Sequence, residues 1–270
     1  MIESTTLTPQ PREPGTGAFS GGSSGLVTDA RYLVKIAESA AEIESALRIR
    51  YDVFGSELGI ELPFAANQYR LEKDRFDDHC RHLIVVERPT GLTVGTYRLN
   101  AIETARAIDG FYSYSEFTIE DLPPQVIEHG VEIGRACIAP AHRNTKVLFL
   151  LWKALANHLT RGGKRFVFGC CSIFTRDPAV GERAFRQLAD AGHFHPAFRV
   201  EPRRNALYCG EPGSVDAANV ELPSLFEMYL RIGARVCGPP TVDDDFGAID
   251  FFVVFDLETI GPRYKKMFFS

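Results

Sequence analysis

Val131-Glu-Ile-Gly-Arg-Ala-Cys-Ile-Ala139, Asn144-Thr-Lys-Val-Leu-Phe-Leu-Leu-Trp152 and Arg165-Phe-Val-Phe-Gly-Cys-Cys-Ser172 together decide the fold. The first is an apolar run of strand length, stopped by Pro140, which cannot donate to a sheet ladder. Asn144 can cap a helix whose apolar stripe is Val147, Leu148, Leu151, Leu155 and Leu159, and Arg161-Gly162-Gly163 ends it. The third is again a strand-like run. Strand, helix and strand in such close succession imply a right-handed parallel crossover.

Working outward, His82–Glu87 and Thr93–Leu99 are split by Pro89-Thr90-Gly91 and read as an antiparallel hairpin. Tyr32–Ala37 alternates as a first strand. Ser39-x-x-Glu42 is a capping box, and Ile43, Leu47, Tyr51, Phe54 and Leu58 follow at spacings of four and three, which predicts one amphipathic helix. Arg48 and Arg50 flank its stripe, solvated or paired with acids. The stretch from Ala101 to Gly130 is irregular and aromatic, with Phe111, Tyr112, Tyr114 and Phe117. Asp177-Pro178 starts a helix that stops at Gly192. Helix Leu222–Ile232 and the apolar strand Ile249–Leu257 complete the sheet. The expectation is an α/β (α+β) chain with a mixed, mostly antiparallel central sheet and helices on both faces.

The 270 residues, 45% hydrophobic, suffice for one large core. Residues 1–29, rich in Ser, Thr, Gly and Pro, read as a disordered tail, and 30–270 as a single domain. The tail has neither the basic start nor the apolar core of a signal peptide, and no apolar run reaches the roughly 20 residues that span a bilayer. A net charge of −5 argues against wholesale nucleic-acid binding. Cysteines at 80, 137, 170, 171, 209 and 237 form no C-x-x-C pair, which fits a reducing cytosol.

Three blocks carry charge into apolar, strand-like surroundings: Val94-Gly-Thr-Tyr-Arg-Leu99, Gly110-Phe-Tyr-Ser-Tyr-Ser-Glu-Phe117 and Glu132-Ile-Gly-Arg-Ala-Cys137. An unpaired charge there costs several kcal/mol, so Arg98, Arg135 and Glu132 must face a shared polar pocket. Asp74, Asp77 and Asp78 supply further acid just upstream. Such a cluster suits a small zwitterion such as an amino acid.

These blocks, together with Leu47-Arg-Ile-Arg-Tyr-Asp-Val-Phe54, Phe168-Gly-Cys-Cys-Ser172, Tyr229-Leu-Arg-Ile-Gly-Ala234 and Arg263-Tyr264, resemble the long-chain N-acyltransferase branch of the Gcn5-related acyltransferases. That branch includes ornithine-lipid acyltransferases, N-acyl amino acid synthases and hemolysin-like proteins, with acyl-homoserine-lactone synthases as distant kin. The resemblance runs from about Tyr32 to Phe269. It implies a single acyltransferase domain with two splayed parallel strands, 131–139 and 165–172, that admit a pantetheine arm. It also implies transfer of a long-chain, sometimes 3-hydroxylated, acyl group from acyl carrier protein to the α-amine of an amino acid, in the cytoplasm, with peripheral contact at the inner membrane face left open. Asp74 and Asp77 match the acidic pair of the lactone synthases. Glu227-Met228 and the stretch Asp245–Phe252 depart from the ornithine-lipid pattern, so glycine, glutamine or an aromatic amino acid stand beside ornithine as acceptors.

Amide formation from a thioester needs a base for the amine and a donor for the oxyanion, but no enzyme nucleophile and no bound cofactor. Glu132 is the candidate base, with Arg135 as its catalytic partner. Asp74, Asp77, Arg98, Phe117 and Cys137 are the candidate substrate-binding residues, Phe117 or Phe54 lining an acyl tunnel if it does not simply pack. Glu132 and Arg135, three apart, point to opposite faces of a regular strand; a bulge at Gly134 would unite them, and without one Glu132 can pair with Arg98. Coenzyme A enzymes of the superfamily place a glycine-rich turn at the helix start, where amides cradle pyrophosphate. Here Arg143-Asn-Thr-Lys-Val-Leu148 has no glycine, which favours a carrier-protein 4′-phosphopantetheine thioester, met by Arg143 and Lys146 with Lys164 and Arg165 nearby. A thiol nucleophile at Cys170-Cys171 is the rival chemistry, without a recognisable Cys–His motif, and no histidines stand at metal-ligand spacing. The rival functions are a homoserine-lactone-type signal synthase and a non-catalytic, hemolysin-like acyl-binding protein.

Overall fold

The computed structural model describes residues 27–62, 64–204, 206, 207 and 219–269. Among these, nine strands form one sheet: β1 (Val27–Thr28), β2 (Tyr32–Ile36), β3 (Arg81–Glu87), β4 (Leu92–Ala101), β5 (Gly130–Ile138), β6 (Phe166–Ile173), β7 (Arg235–Val236), β8 (Thr241–Asp243) and β9 (Ala248–Asp256). The helices are α1 (Ala40–Arg50), continued by a π-helix (Tyr51–Glu57), α2 (Phe64–Tyr69), α3 (Ile102–Ala105), α4 (Ser113–Glu116), α5 (Pro124–Glu128), α6 (Thr145–Arg161), α7 (Pro178–Asp190), α8 (Ser224–Ile232) and α9 (Pro262–Phe269). The strand order is β1-β2-β3-β4-β5-β6-β9-β7, with β8 also on β9. Neighbours pair antiparallel except β5 and β6, which run parallel across α6 as the crossover predicts. Most of the stretch assigned to a tail lies outside the described residues; Val27 and Thr28, at its end, already pair with β2.

The caps form as the sequence predicts. Ser39 and Glu42 complete a capping box, Asn144 accepts from the amides of Lys146 and Val147 at 3.1 and 3.0 Å, and Asp177 accepts from Ala179 at 3.0 Å. The helix predicted to run on to Leu58 instead widens after Arg50 into the π-helix, where the Leu58 amide bonds to the Val53 carbonyl at 3.0 Å. The extra residue per turn rotates the stripe, so Phe54 is buried while Leu58 is exposed.

Alternation along the strands sorts side chains onto two faces. On one, Leu83, Val85, Tyr97, Leu99, Val131, Ile133, Val253 and Phe255 pack beneath Leu151, Trp152 and Leu155 of α6 and Phe226 and Tyr229 of α8. On the other, Ile49, Val53 and Phe54 meet Cys137, and Phe111, Phe117 and Ile119 cover Phe166, Phe168 and Phe252. Helices therefore lie on both faces.

Two irregularities in β5 shape the interior of the sheet. Its pairing with β6 covers only Gly130↔Phe166, Val131↔Val167 and Glu132↔Phe168, after which the strands part. Gly169 sits at the parting, where a Cβ would meet the Ile133 carbonyl oxygen at 2.3 Å, so only glycine fits. Against β4, Thr96 pairs with Cys137 and Arg98 with Gly134, leaving Tyr97 opposite both Arg135 and Ala136. This is a β-bulge, and Arg135 occupies it with φ of +51°, a left-handed conformation that costs a non-glycine residue about 1–2 kcal/mol.

Candidate active site

Cross-strand partners share a face, which puts Arg98, Asn100, Glu132, Phe168, Cys170, Ser172 and Asp250 on one side of the sheet. The bulge carries Arg135 to that side as well. It lies next to Gly134, where sequence reasoning placed it, but it does not join Glu132 to Arg135: their partners differ.

Arg98 and Arg135 find their acids in the loop that follows α2. Arg98 Nη1 lies 2.6 Å from Asp74 Oδ1 and 3.2 Å from Asp77 Oδ1; Arg135 Nη2 lies 3.1 Å from Asp74 Oδ2, and its Nε 3.3 Å from Glu72 Oε1. The anticipated pair of Glu132 with Arg98 is absent, because Arg98 is taken by this loop. Arg50, fully buried, completes the cluster by holding Asp77 through Nη1 at 2.6 Å and Nη2 at 3.0 Å, and by pairing with Glu72. Three guanidiniums thus face three carboxylates. Burial alone would raise Asp77 and Asp74, but Arg50 and Arg98 hold Asp77, and Arg98 and Arg135 hold Asp74, below the usual carboxylate range. Burial would likewise weaken Arg135, yet Glu72 leads the groups that keep it firmly charged. Its guanidinium also lies over two rings, 4.8 Å from Tyr112 and 4.3 Å from Phe246.

Glu132 is held by neutral donors. Its Oε2 accepts from the Tyr112 amide at 3.0 Å, and its Oε1 from the Ser113 amide at 2.8 Å and hydroxyl at 2.7 Å. The Tyr112 hydroxyl donates in turn to Asp243 Oδ2 at 2.6 Å, while the Phe246 amide donates to Asp243 Oδ1 at 2.9 Å. One residue thereby spans from β5 to β8. Two buried acceptors on the same wall have no hydrogen-bond partner, Asn100 Oδ1 and Asp250 Oδ1. Burial, with Asp243 adding to it against Ser172, pushes the Asp250 carboxyl up to about 6.

These groups line one cavity, which passes through the sheet where β5 and β6 part. Its lining includes Asn100, Tyr112, Glu132, Asp243 and Asp250 from the polar face. It also includes Cys171, Phe226, Tyr229, Val253 and Phe255, which belong to the opposite, apolar face. Arg98, Arg135 and Phe54 line it too.

The remaining predicted site residues lie elsewhere. Phe117 is fully buried against Phe252, and Cys137 is packed with Ile49 and Val53; neither lines the cavity. Asp74 and Asp77 reach it only through the arginines they hold. Burial pushes the Cys137 thiol up to about 12 and the Cys170 and Cys171 thiols well above the ordinary value, so none offers a thiolate. Arg143 pairs with Glu57, and Lys146 lies 2.6 Å from Asp29. Lys164, expected beside them at the surface, is buried and holds Glu103 at 2.9 Å. Sequence reasoning missed Ser113, Asn100, Asp243 and Asp250, and left Arg50 undecided. Backbone amides leave no side-chain signature, but Asp250, inside the run Ile249–Leu257, was a legible one.

Among the described residues no helix is long and apolar enough to cross a membrane. The acetyltransferase (GNAT) domain family matches residues 49–153, from the end of α1 into α6. The chain is 30% identical to the L-ornithine N(alpha)-acyltransferase of Rhodobacter capsulatus over 248 residues, covering 88% of this chain and 94% of that one. It is 31% identical to the L-ornithine N(alpha)-acyltransferase of Agrobacterium fabrum over 248 residues, 85% and 82% of the two chains. Among solved structures, FeeM, an N-acyl amino acid synthase from uncultured soil microbes, superposes with a TM-score of 0.51 over 85% of this chain and 94% of its own, at 8% identity, a likeness of fold alone. With relatives this similar along nearly their whole length, a parted strand pair and a cavity through it, the chain belongs to the family of the L-ornithine N(alpha)-acyltransferases, within the GNAT acyltransferases.

Proposed function

We propose that this acyltransferase forms an amide between a long-chain fatty acyl group, carried as a thioester on acyl carrier protein, and the α-amine of an amino acid. The observation that carries this reading is the cavity through the sheet, apolar on one face and acid-lined on the other. An acyl chain is seated on the apolar side, the pantetheine arm lies between the parted strands, and the amine meets the thioester carbon from the polar side. Glu132 and Asn100, partners across β4 and β5, offer acceptor atoms to the α-ammonium. Arg135, which lines the cavity beside Gly134, faces the acceptor's carboxylate. Glu132 takes the ammonium proton, the nitrogen attacks, the C–S bond breaks, and the departing thiolate takes the proton that the new amide nitrogen releases.

The carrier-protein donor draws support from the start of α6. The two amides that a pyrophosphate would use are already occupied by the Asn144 side chain. Arg143 and Lys146 are exposed, and their pairs with Glu57 and Asp29 are of the surface kind worth about 0–1 kcal/mol, readily exchanged for the acids of a carrier protein.

Glu132→Gln tests the chemistry. Turnover with acyl carrier thioester falls about 10²–10⁴-fold, and the limb of the kcat profile that rises from acid pH disappears. Ser113→Ala, which removes one donor and leaves the carboxylate, keeps that limb. Near-normal turnover in folded Glu132→Gln protein rules Glu132 out as the base.

A further inference from the structure

α6 and α9 carry a charge opposite to that of the chain as a whole. Lys146, Lys153 and Arg161 stand on α6 and Arg263, Lys265 and Lys266 on α9, and neither helix contains an aspartate or glutamate. In a chain of net charge −5, that gathers cations onto one pair of helices. Their apolar sides are already used. α6 buries Val147, Leu151, Leu155 and Leu159, and Phe268 of α9 packs on Phe149 and Trp152. The side turned outward is basic: Arg161, Arg263, Lys265 and Lys266 are exposed. Half-buried Phe149, Tyr264, Met267 and Phe269 interleave with these cations along the two helices. The pair also backs the cavity. Trp152 packs on Tyr229 and Phe255, which line its apolar half, with ring centroids 5.5 and 5.2 Å away, and on Phe268 at 5.7 Å.

We infer that the outward face of α6 and α9 is a membrane-docking surface that takes anionic phospholipid headgroups. Cations interleaved with aromatic and thioether side chains match the boundary between headgroups and acyl chains. There guanidinium and ammonium groups meet phosphate, while rings and thioether settle into the apolar margin. An acidic protein partner would engage the cations and leave those apolar groups unused. The contact is interfacial, since the eight residues of α9 fall far short of a bilayer's thickness. Each cation held at an anionic leaflet adds about fivefold to partitioning, so the three on α9 together contribute about 100-fold. The acidic remainder of the chain is repelled and turns to water, which fixes the orientation. On the amide-forming reading above, that orientation sets the seat of the acyl chain, behind Trp152, on the bilayer side.

Flotation of the full-length protein with vesicles tests the surface with no substrate present, so its outcome is separate from that of the amide-forming reading. Phosphatidylcholine vesicles containing phosphatidylglycerol are expected to carry the protein, phosphatidylcholine alone to leave it behind, and added salt to release it. Arg263→Gln, Lys265→Gln and Lys266→Gln together weaken this partitioning about 100-fold, with the circular dichroism spectrum and vesicle-free turnover unchanged. Arg48→Gln, Arg70→Gln and Arg106→Gln remove exposed arginines from the opposite face; they alter net charge equally and keep partitioning within about threefold. Failure to bind the anionic vesicles overturns the surface, as does a loss equal in both triple variants or missing from the first. If the first variant instead raises KM for carrier-bound donor, the face belongs to the carrier protein and the membrane assignment falls.

Discussion

Asp250 ionises near 6 in the folded protein, against an ordinary value of 3.8, because its carboxylate is buried with one oxygen unpartnered. Between those two values the folded chain binds the extra proton, so this group lowers stability progressively as pH rises from about 4 to 6, and the penalty persists at higher pH. Two units correspond to a cost on the order of 2–3 kcal/mol. Asp250→Asn is therefore expected to raise the melting temperature at pH 7.5, and its stability advantage should shrink toward zero below pH 4. Thermal melts at both pH values check this; a variant less stable at pH 7.5 would contradict it. Asp77 behaves oppositely. Its depressed value means that the contribution it makes is present above the ordinary carboxylate range and lost as acid is added. The same residue type thus strains one end of the site and anchors the other, according to whether a guanidinium is hydrogen-bonded to it.

At the scale of elements, β5 does most of the shaping. Gly169→Ala drives a methyl group against the Ile133 carbonyl, and strands β5 and β6 must shift to admit it. A loss of about 1–3 kcal/mol is expected together with a collapse of turnover, whereas Gly134→Ala, with open space at its Cβ, should melt near the parent temperature. Differential scanning calorimetry of the two variants separates them. The strands and caps of this region were legible because each has a local cause: Pro140 ends β5, Asn144 and Asp177 start helices, and Gly91 turns the hairpin with φ of +70°. The π-helix was not, since residues 51–58 present the same apolar spacing whether or not the helix widens. Nor were the true partners of Arg98 and Arg135, because the acids sit 24 and 61 residues away in a loop with no pattern of its own. The three carboxylates of that loop stood in plain view, and only packing says which arginine each one meets. Asp250 was visible as an acid in an apolar strand, the same anomaly that drew notice to Glu132, but was read only as a departure from a family pattern.

Across the whole molecule, a net charge of −5 opposes the approach of an acidic partner, so the carrier proposed above as the donor would have to be received at a local basic site. Reversing charge there with Arg143→Glu and Lys146→Glu should raise KM for carrier-bound donor about tenfold and leave KM for the amino acid unchanged. Added salt should weaken donor capture by the parent protein and not by the double variant. Steady-state kinetics at two ionic strengths reads both effects; an unaltered donor KM would place the carrier elsewhere. The cavity itself answers to a single pivot. Tyr112 touches one acid through its main chain and another through its phenol, so any tilt of that residue strips a donor from both together. The two ends of the chamber therefore assemble and come apart in lockstep, and a guest gripping either end steadies the far one without contacting it.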